Sequence, residues 1–162
     1  MKTAMNIEET AADLHQRIHP GCIVCGFTNS KGLHLHFDVH QDGSVSAAFD
    51  CDRSLEGYPG VLHGGVISTV LDGAMGHCMF ARQQTAVTVE MNTRFRHPVE
   101  IGQPATVTAH IKRIAHPLYL LEATIIQNGQ VKATAKGKFY DQPELLNVLE
   151  RHQSKQAGGF QE

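Results

Sequence analysis

The sequence predicts an α+β fold: one long apolar helix covered by a sheet of about six strands. Three observations predict it. Apolar residues recur at helical spacing from residue 66 to residue 79, two alternating apolar–polar segments precede that stretch, and four follow it. The 162 residues are enough for one domain with a real core.

The helix organises the chain. Val66, Ile67, Val70, Leu71, Ala74, Met75, Cys78 and Met79 form the i, i+3, i+4 stripe of a buried face, and the helix is expected to end near Arg82. Its other side carries Gly65, Thr69, Asp72, Gly73 and Gly76, small residues around a single carboxylate. Asp72 is the only acid between Glu56 and Glu90. Internal glycines cost a helix about 1 kcal/mol each against alanine. They therefore require a reason, either close packing of another element or a groove for a ligand. The loop at residues 57–65 brings Gly64 and Gly65 to the helix start. Unpaired N–H groups and a partial positive charge at such a start suit a substrate oxygen. Asp72 lies about 12 Å further along the axis at 1.5 Å per residue, too far for a direct bond between the two groups. A substrate held between a helix start and a carboxylate from a neighbouring subunit would bridge that gap.

The remaining elements follow in order. Residues 6–18 suit a short helix with Ile7, Ala11, Leu14 and Ile18 on one side, stopped by Pro20-Gly21. Cys22-Ile-Val-Cys25-Gly26, with His34 and His36 downstream, has metal-ligand residue types. There is no second Cys-x-x-Cys, and the two histidines share one face of an alternating strand, so a structural turn is the reading adopted. Zinc binding and a redox pair are the alternatives. Leu33, Leu35, Phe37 and Val39 alternate as strand one, Asp42-Gly43 makes the turn, and Val45, Ala47 and Phe49 form strand two. Residues 50–62 are a long loop of the kind that often carries function. After the helix, Val87, Val89 and Met91 are expected on one face, with Thr88, Glu90 and Asn92 on the other. Pro98 and Gly102 break the chain before the alternation of Val107, Ala109 and Ile111. A strand follows Pro117, and Asn128-Gly129 is the strongest hairpin signal. Val131, Ala133, Ala135, Gly137 and Phe139 complete the last strand. Residues 143–150 suggest a short helix before a polar tail. The domain organisation is thus an N-terminal helical segment at 1–20, a central domain at 21–141 and a C-terminal segment at 142–162.

Composition narrows the function. A net charge of −2 argues against nucleic acid as the main partner. No run of eighteen apolar residues suits a membrane span, and the N-terminus carries acids where a signal peptide needs an apolar core. A cytoplasmic setting with mostly reduced cysteines is expected.

His63-Gly64-Gly65 followed by Asp72, the segment at residues 87–102, and Cys22-Ile-Val-Cys25-Gly26 with Asn29 and Gly32-Leu33 together resemble the hotdog-fold acyl-CoA thioesterases. The branch is that of the phenylacetyl-CoA and 4-hydroxybenzoyl-CoA thioesterases, and the likeness covers roughly residues 20–140. The resemblance implies an antiparallel sheet wrapped around the central helix, in dimers or dimers of dimers with active sites at the subunit interface. It implies hydrolysis of an acyl-CoA to free acid and coenzyme A, with no cofactor and no metal at the hydrolytic site. Asp72 would be general base or nucleophile. The Gly64 N–H would be the main oxyanion donor, with Gly65 beside it. His63 would shape the helix start, and Thr88 would position the water or the acyl group. Gly57 stands where many relatives place an Asn or Gln contact. Arg94, Arg96 and His97 are candidates for the coenzyme A phosphates, with Lys112, Arg113, Lys136 and Lys138 as further ones. Val61, Leu62, Met75, Met79 and Phe80 are candidate pocket walls. The competing readings are a non-catalytic acyl-CoA binder and a hydratase or dehydratase. Hydratase relatives use an Asp–His pair at a different spacing, and His77, five residues past Asp72, is expected to face elsewhere.

Overall fold

The structure is a computed structural model that describes residues 15–145 and 147. Six strands surround one helix: β1 (Asp38–Val39), β2 (Val45–Asp50), α1 (Gly64–Ala81), β3 (Ala86–Phe95), β4 (Pro104–Ala115), β5 (Leu118–Gln127) and β6 (Gln130–Asp141). They form a single antiparallel sheet in the order β1-β2-β4-β5-β6-β3. The α1 connection carries the chain from β2 to the far edge, so β3 pairs with β6 on one side and, among the described residues, has no strand partner on the other.

The helix lies across the sheet as its apolar stripe requires. Val70, Leu71, Ala74, Met75, Cys78 and Met79 are fully buried. Facing them are Ala47, Val107, Ala109, Leu121, Ala123, Ile125, Ala133, Ala135 and Phe139, all buried. Each large apolar side chain placed there contributes about 1.5–3 kcal/mol. The many alanines on the sheet let the helix come close. Gly137 of β6 makes room for Met75, since a Cβ there would sit 2.9 Å from Met75 Sδ.

Two strands depart from the alternation read in the sequence. Strand one pairs only over Asp38–Val39. His34 takes φ 52° and breaks the extended run, and the Leu33 and Leu35 N–H groups bond to the carbonyls of Ile23 and Val24 at 2.7 and 2.8 Å. Leu35 and Phe37 are nevertheless buried, as the alternation predicts. In β3 the register slips between Thr88 and Glu90, which leaves Val89 as an extra residue, a β-bulge. Thr88 opposes buried Phe139, and Met91 opposes Gly137, so both face the helix, while Val89 is 55% exposed. Val87, Val89 and Met91 therefore do not share a face. Asn128 and Gly129 take φ 53° and 72°, the two left-handed positions of a tight hairpin turn. Residues 15–18 are helical and residues 144–145 begin a second helical stretch; the rest of both expected terminal helices lies outside the described residues.

The helix glycines have different reasons for being there. Val24 packs directly on Gly73, where a Cβ would come within 2.6 Å of Val24 Cγ1. At Gly76 a Cβ would meet nothing within 4 Å. Gly73→Ala is thus expected to cost about 1–3 kcal/mol through overpacking, and Gly76→Ala to gain up to about 1 kcal/mol from helix propensity. Urea unfolding of the two variants checks the contrast.

Candidate active site

The helix start is built by the loop before it. The Gly57 N–H bonds to the Val61 carbonyl and the His63 N–H to the Leu55 carbonyl, both at 2.9 Å. Gly57 packs against His63, with room for a Cβ only at 3.2 Å from His63 Cα. His63 is the N-cap: its Nδ1 accepts the Gly65 N–H at 2.8 Å. An accepting Nδ1 leaves the ring proton on Nε2. The Gly65 donor is therefore spent inside the protein, which corrects its expected place beside Gly64 as an oxyanion donor. Among the described residues, nothing accepts from the Gly64 N–H. Gly64 lines a cavity of about 670 Å³ together with Gly57, Tyr58, His63, Phe95, Arg96 and His97.

Asp72 belongs to a second cavity, of about 450 Å³. Thr88 Oγ1 donates to Asp72 Oδ1 at 2.7 Å. The Val89 bulge makes this bond, because it turns Thr88 toward the helix without turning Met91 away. Thr69, Gly73 and Gly76 open the helix face around the carboxylate, and Val24, Phe80 and Met91 supply apolar wall. The two cavities share no lining residue. Within one chain the structure thus groups Gly57, His63, Gly64, Arg96 and His97 at one place, and Asp72 with Thr88 at another.

The other expected site residues divide in the same way. Arg94 lines a cleft on the outer face of the sheet with Asn92, Glu122 and Lys136. Lys112 bonds Glu122 at 2.6 Å, Lys136 lies 3.7 Å from the same carboxylate, and Lys138 pairs with Glu90 at 2.6 Å. The Lys112 hydrogen bond holds the Glu122 carboxyl below its usual range. These lysines serve the sheet surface and not either cavity. Val61 and Leu62 line the first cavity and Phe80 the second, while Met75 and Met79 are fully buried core.

The sequence points to the cysteines of one further cluster but not to its histidines. His19, Cys22, Cys25 and His77 all contribute to the wall of the Asp72 cavity, with the His77 ring packed against Phe37, His15 and Phe80. It stacks on Phe37 with ring centroids 4.1 Å apart and lies 4.9 Å from the His15 ring. Burial, then the neighbouring His15, pushes its pKa down to about 3. The signal was present as His15-x3-His19-x2-Cys22-x2-Cys25, but the downstream His34 and His36 drew the reading; both are exposed.

A family model described as the thioesterase superfamily matches residues 59–143. The chain belongs to the thioesterase superfamily. Its matched part is 27% identical over 90 residues to acyl-coenzyme A thioesterase THEM4 of Bos taurus, covering 55% of this chain and 37% of that protein. It is 28% identical over 81 residues to acyl-coenzyme A thioesterase 13 of Mus musculus, covering 49% of this chain and 58% of that one. The matches thus span about a third to just over half of the curated relatives. The fold matches the PaaI protein of the E. coli phenylacetic acid degradation operon with a TM-score of 0.72, at 16% identity, over 85% of this chain and 96% of that one. The antiparallel sheet around one long helix is the hotdog architecture.

The cap bond gives a direct test of the helix start. His63→Ala is expected to lower stability by about 1 kcal/mol, while His63→Asn, which keeps a side-chain acceptor, loses less. Denaturant unfolding of both variants checks it.

Proposed function

We propose that the protein is an acyl-CoA thioesterase whose active site is completed by a second copy of the chain. The observation that carries this reading is the Thr88–Asp72 bond on an open, glycine-rich helix face, set apart from an unengaged Gly64 N–H at the helix start. A carboxylate and an oxyanion donor that lie in separate cavities of one chain act on one carbonyl only if they come from two. The outer side of β3, ten residues long and without a strand partner among the described residues, supports pairing with another copy. A homodimer is the proposed unit, with a dimer of dimers as its further assembly.

In this mechanism Thr88 occupies one oxygen of Asp72 and leaves the other to take a proton from water. The water oxygen attacks the thioester carbonyl carbon. The oxyanion forms against the partner protomer's helix start, where the Gly64 N–H and the positive dipole end stabilise it. Collapse breaks the C–S bond; the thiolate leaves and takes back the proton from Asp72, giving the acid and coenzyme A. The proposed contacts for the coenzyme A phosphates are Arg96 and His97, which line the helix-start cavity. Val24, Phe80 and Met91 suit an apolar acyl group. The four free cysteines support a cytoplasmic setting.

Asp72→Asn is expected to lower thiol release from the best acyl-CoA of an aliphatic and aromatic panel by about 10²-fold or more, with circular dichroism and particle mass unchanged. Near-full turnover in that variant would remove the site assignment. Light scattering is expected to give twice the chain mass; a fully active monomer would rule out the shared site.

A further inference from the structure

We propose that His15, His19, Cys22 and Cys25 bind one zinc ion that clamps the turn of the N-terminal segment, which packs against α1 in the wall of the Asp72 cavity. The ligand atoms of His19, Cys22 and Cys25 all lie within 4.8 Å of one another. Those of His15, Cys25 and His77 do likewise, so Cys25 joins the two groups. Around a tetrahedral zinc, bond lengths of about 2.3 Å to sulfur and 2.0–2.1 Å to nitrogen place neighbouring ligand atoms roughly 3.3–3.8 Å apart. His19, Cys22 and Cys25 are already near that spacing, and His15, close to Cys25, is brought to the same ion by rotation of its side chain.

Local structure already presents these groups together. Residues 15–18 are helical and the His19 N–H bonds the His15 carbonyl at 2.8 Å, so the two imidazoles lie one turn apart on one face. Pro20-Gly21 then turns the chain, and the Gly26 N–H bonds the Cys22 carbonyl at 2.9 Å. That turn admits only glycine at 26, where a Cβ would fall 2.3 Å from Cys22 N and 2.6 Å from the Pro20 oxygen. The Val24 N–H points at Cys22 Sγ from 3.4 Å, as it would toward a thiolate. Cys25 Sγ lies 3.9 Å from His19 Nδ1. Among the described residues, His15 and His77 each hold a buried Nε2 with no hydrogen-bond partner. A buried ring nitrogen left so is costly, and at His15, beside Cys25, a metal ion would satisfy it. His77 is locked by stacking on Phe37, which leaves His15 as the fourth ligand and His77 as the ring behind it. Two thiolates neutralise the divalent charge, as a mostly buried site requires.

Four protein ligands leave no open position, so this zinc is structural and takes no part in hydrolysis. Its effect is mechanical: Val24, between the two cysteines, rests on Gly73 beside Asp72. The clamp fixes that wall of the cavity. None of this depends on the thioesterase reading, because the test measures metal and not turnover.

The whole protein, purified under reducing conditions without chelator, is expected to carry about one zinc per chain by elemental analysis. Cys22→Ser and His19→Ala are each expected to bring zinc to background, and the exposed pair variant His34→Ala/His36→Ala to leave it unchanged. After zinc removal, cobalt added to the wild type is expected to give the visible bands of a tetrahedral site with thiolate charge transfer. A reduced wild type that takes up neither zinc nor cobalt would overturn the proposal, as would a Cys22→Ser variant that still binds one zinc per chain.

Discussion

The burial of α1 against an alanine-lined sheet is the constraint on which the rest of the molecule depends. Leu71, Met75 and Met79 have no exposure, and the sheet beneath them is kept low by Ala109, Ala123, Ala133 and Ala135. This close seat fixes the rotation of the helix about its own axis. With one stripe committed to the sheet, Thr69, Asp72, Gly73 and Gly76 have only one direction left to face. The position of the carboxylate is thus a consequence of core packing, not of any contact made by Asp72 alone.

A second, local device completes that side of the site. An unbroken alternation in β3 would put Thr88 and Met91 on opposite faces. The extra residue Val89 puts both toward the helix, so one strand supplies a hydrogen-bond donor to Asp72 and an apolar wall beside it. At the other end of α1, His63 uses its ring to satisfy Gly65 and leaves Gly64 as the donor with no internal acceptor. Both arrangements rest on a single hydrogen bond between rigid elements.

The segment before the sheet has a structural part to play in the same cavity. Val24 touches Gly73, the Ile23 and Val24 carbonyls take the N–H groups of Leu33 and Leu35, and His19, Cys22, Cys25 and His77 gather behind them. A stretch without regular secondary structure is thereby tied to both the helix and the start of the sheet. Its backbone bonds explain why the strand-one alternation buries Leu35 and Phe37 although only two of its residues pair as a strand.

By itself the sequence determined the helix from its 3.6-residue apolar stripe, the existence of the strands after it, and the Asn128-Gly129 hairpin, and it singled out a glycine-rich helix start and one mid-helix acid. These are local signals, carried by residues a few positions apart. Only the tertiary structure decided what depends on neighbours far along the chain. Thr88 meets Asp72 because β6 sets the register of β3 around the bulge. Gly65 is spent on His63 because the loop folds the ring back over the helix start. Lys112, Lys136 and Lys138 pair with Glu122 and Glu90 because adjacent strands put them side by side on the outer face. His77 joins Cys25 and His15 because the N-terminal turn packs on α1, a contact that spans about sixty positions of sequence.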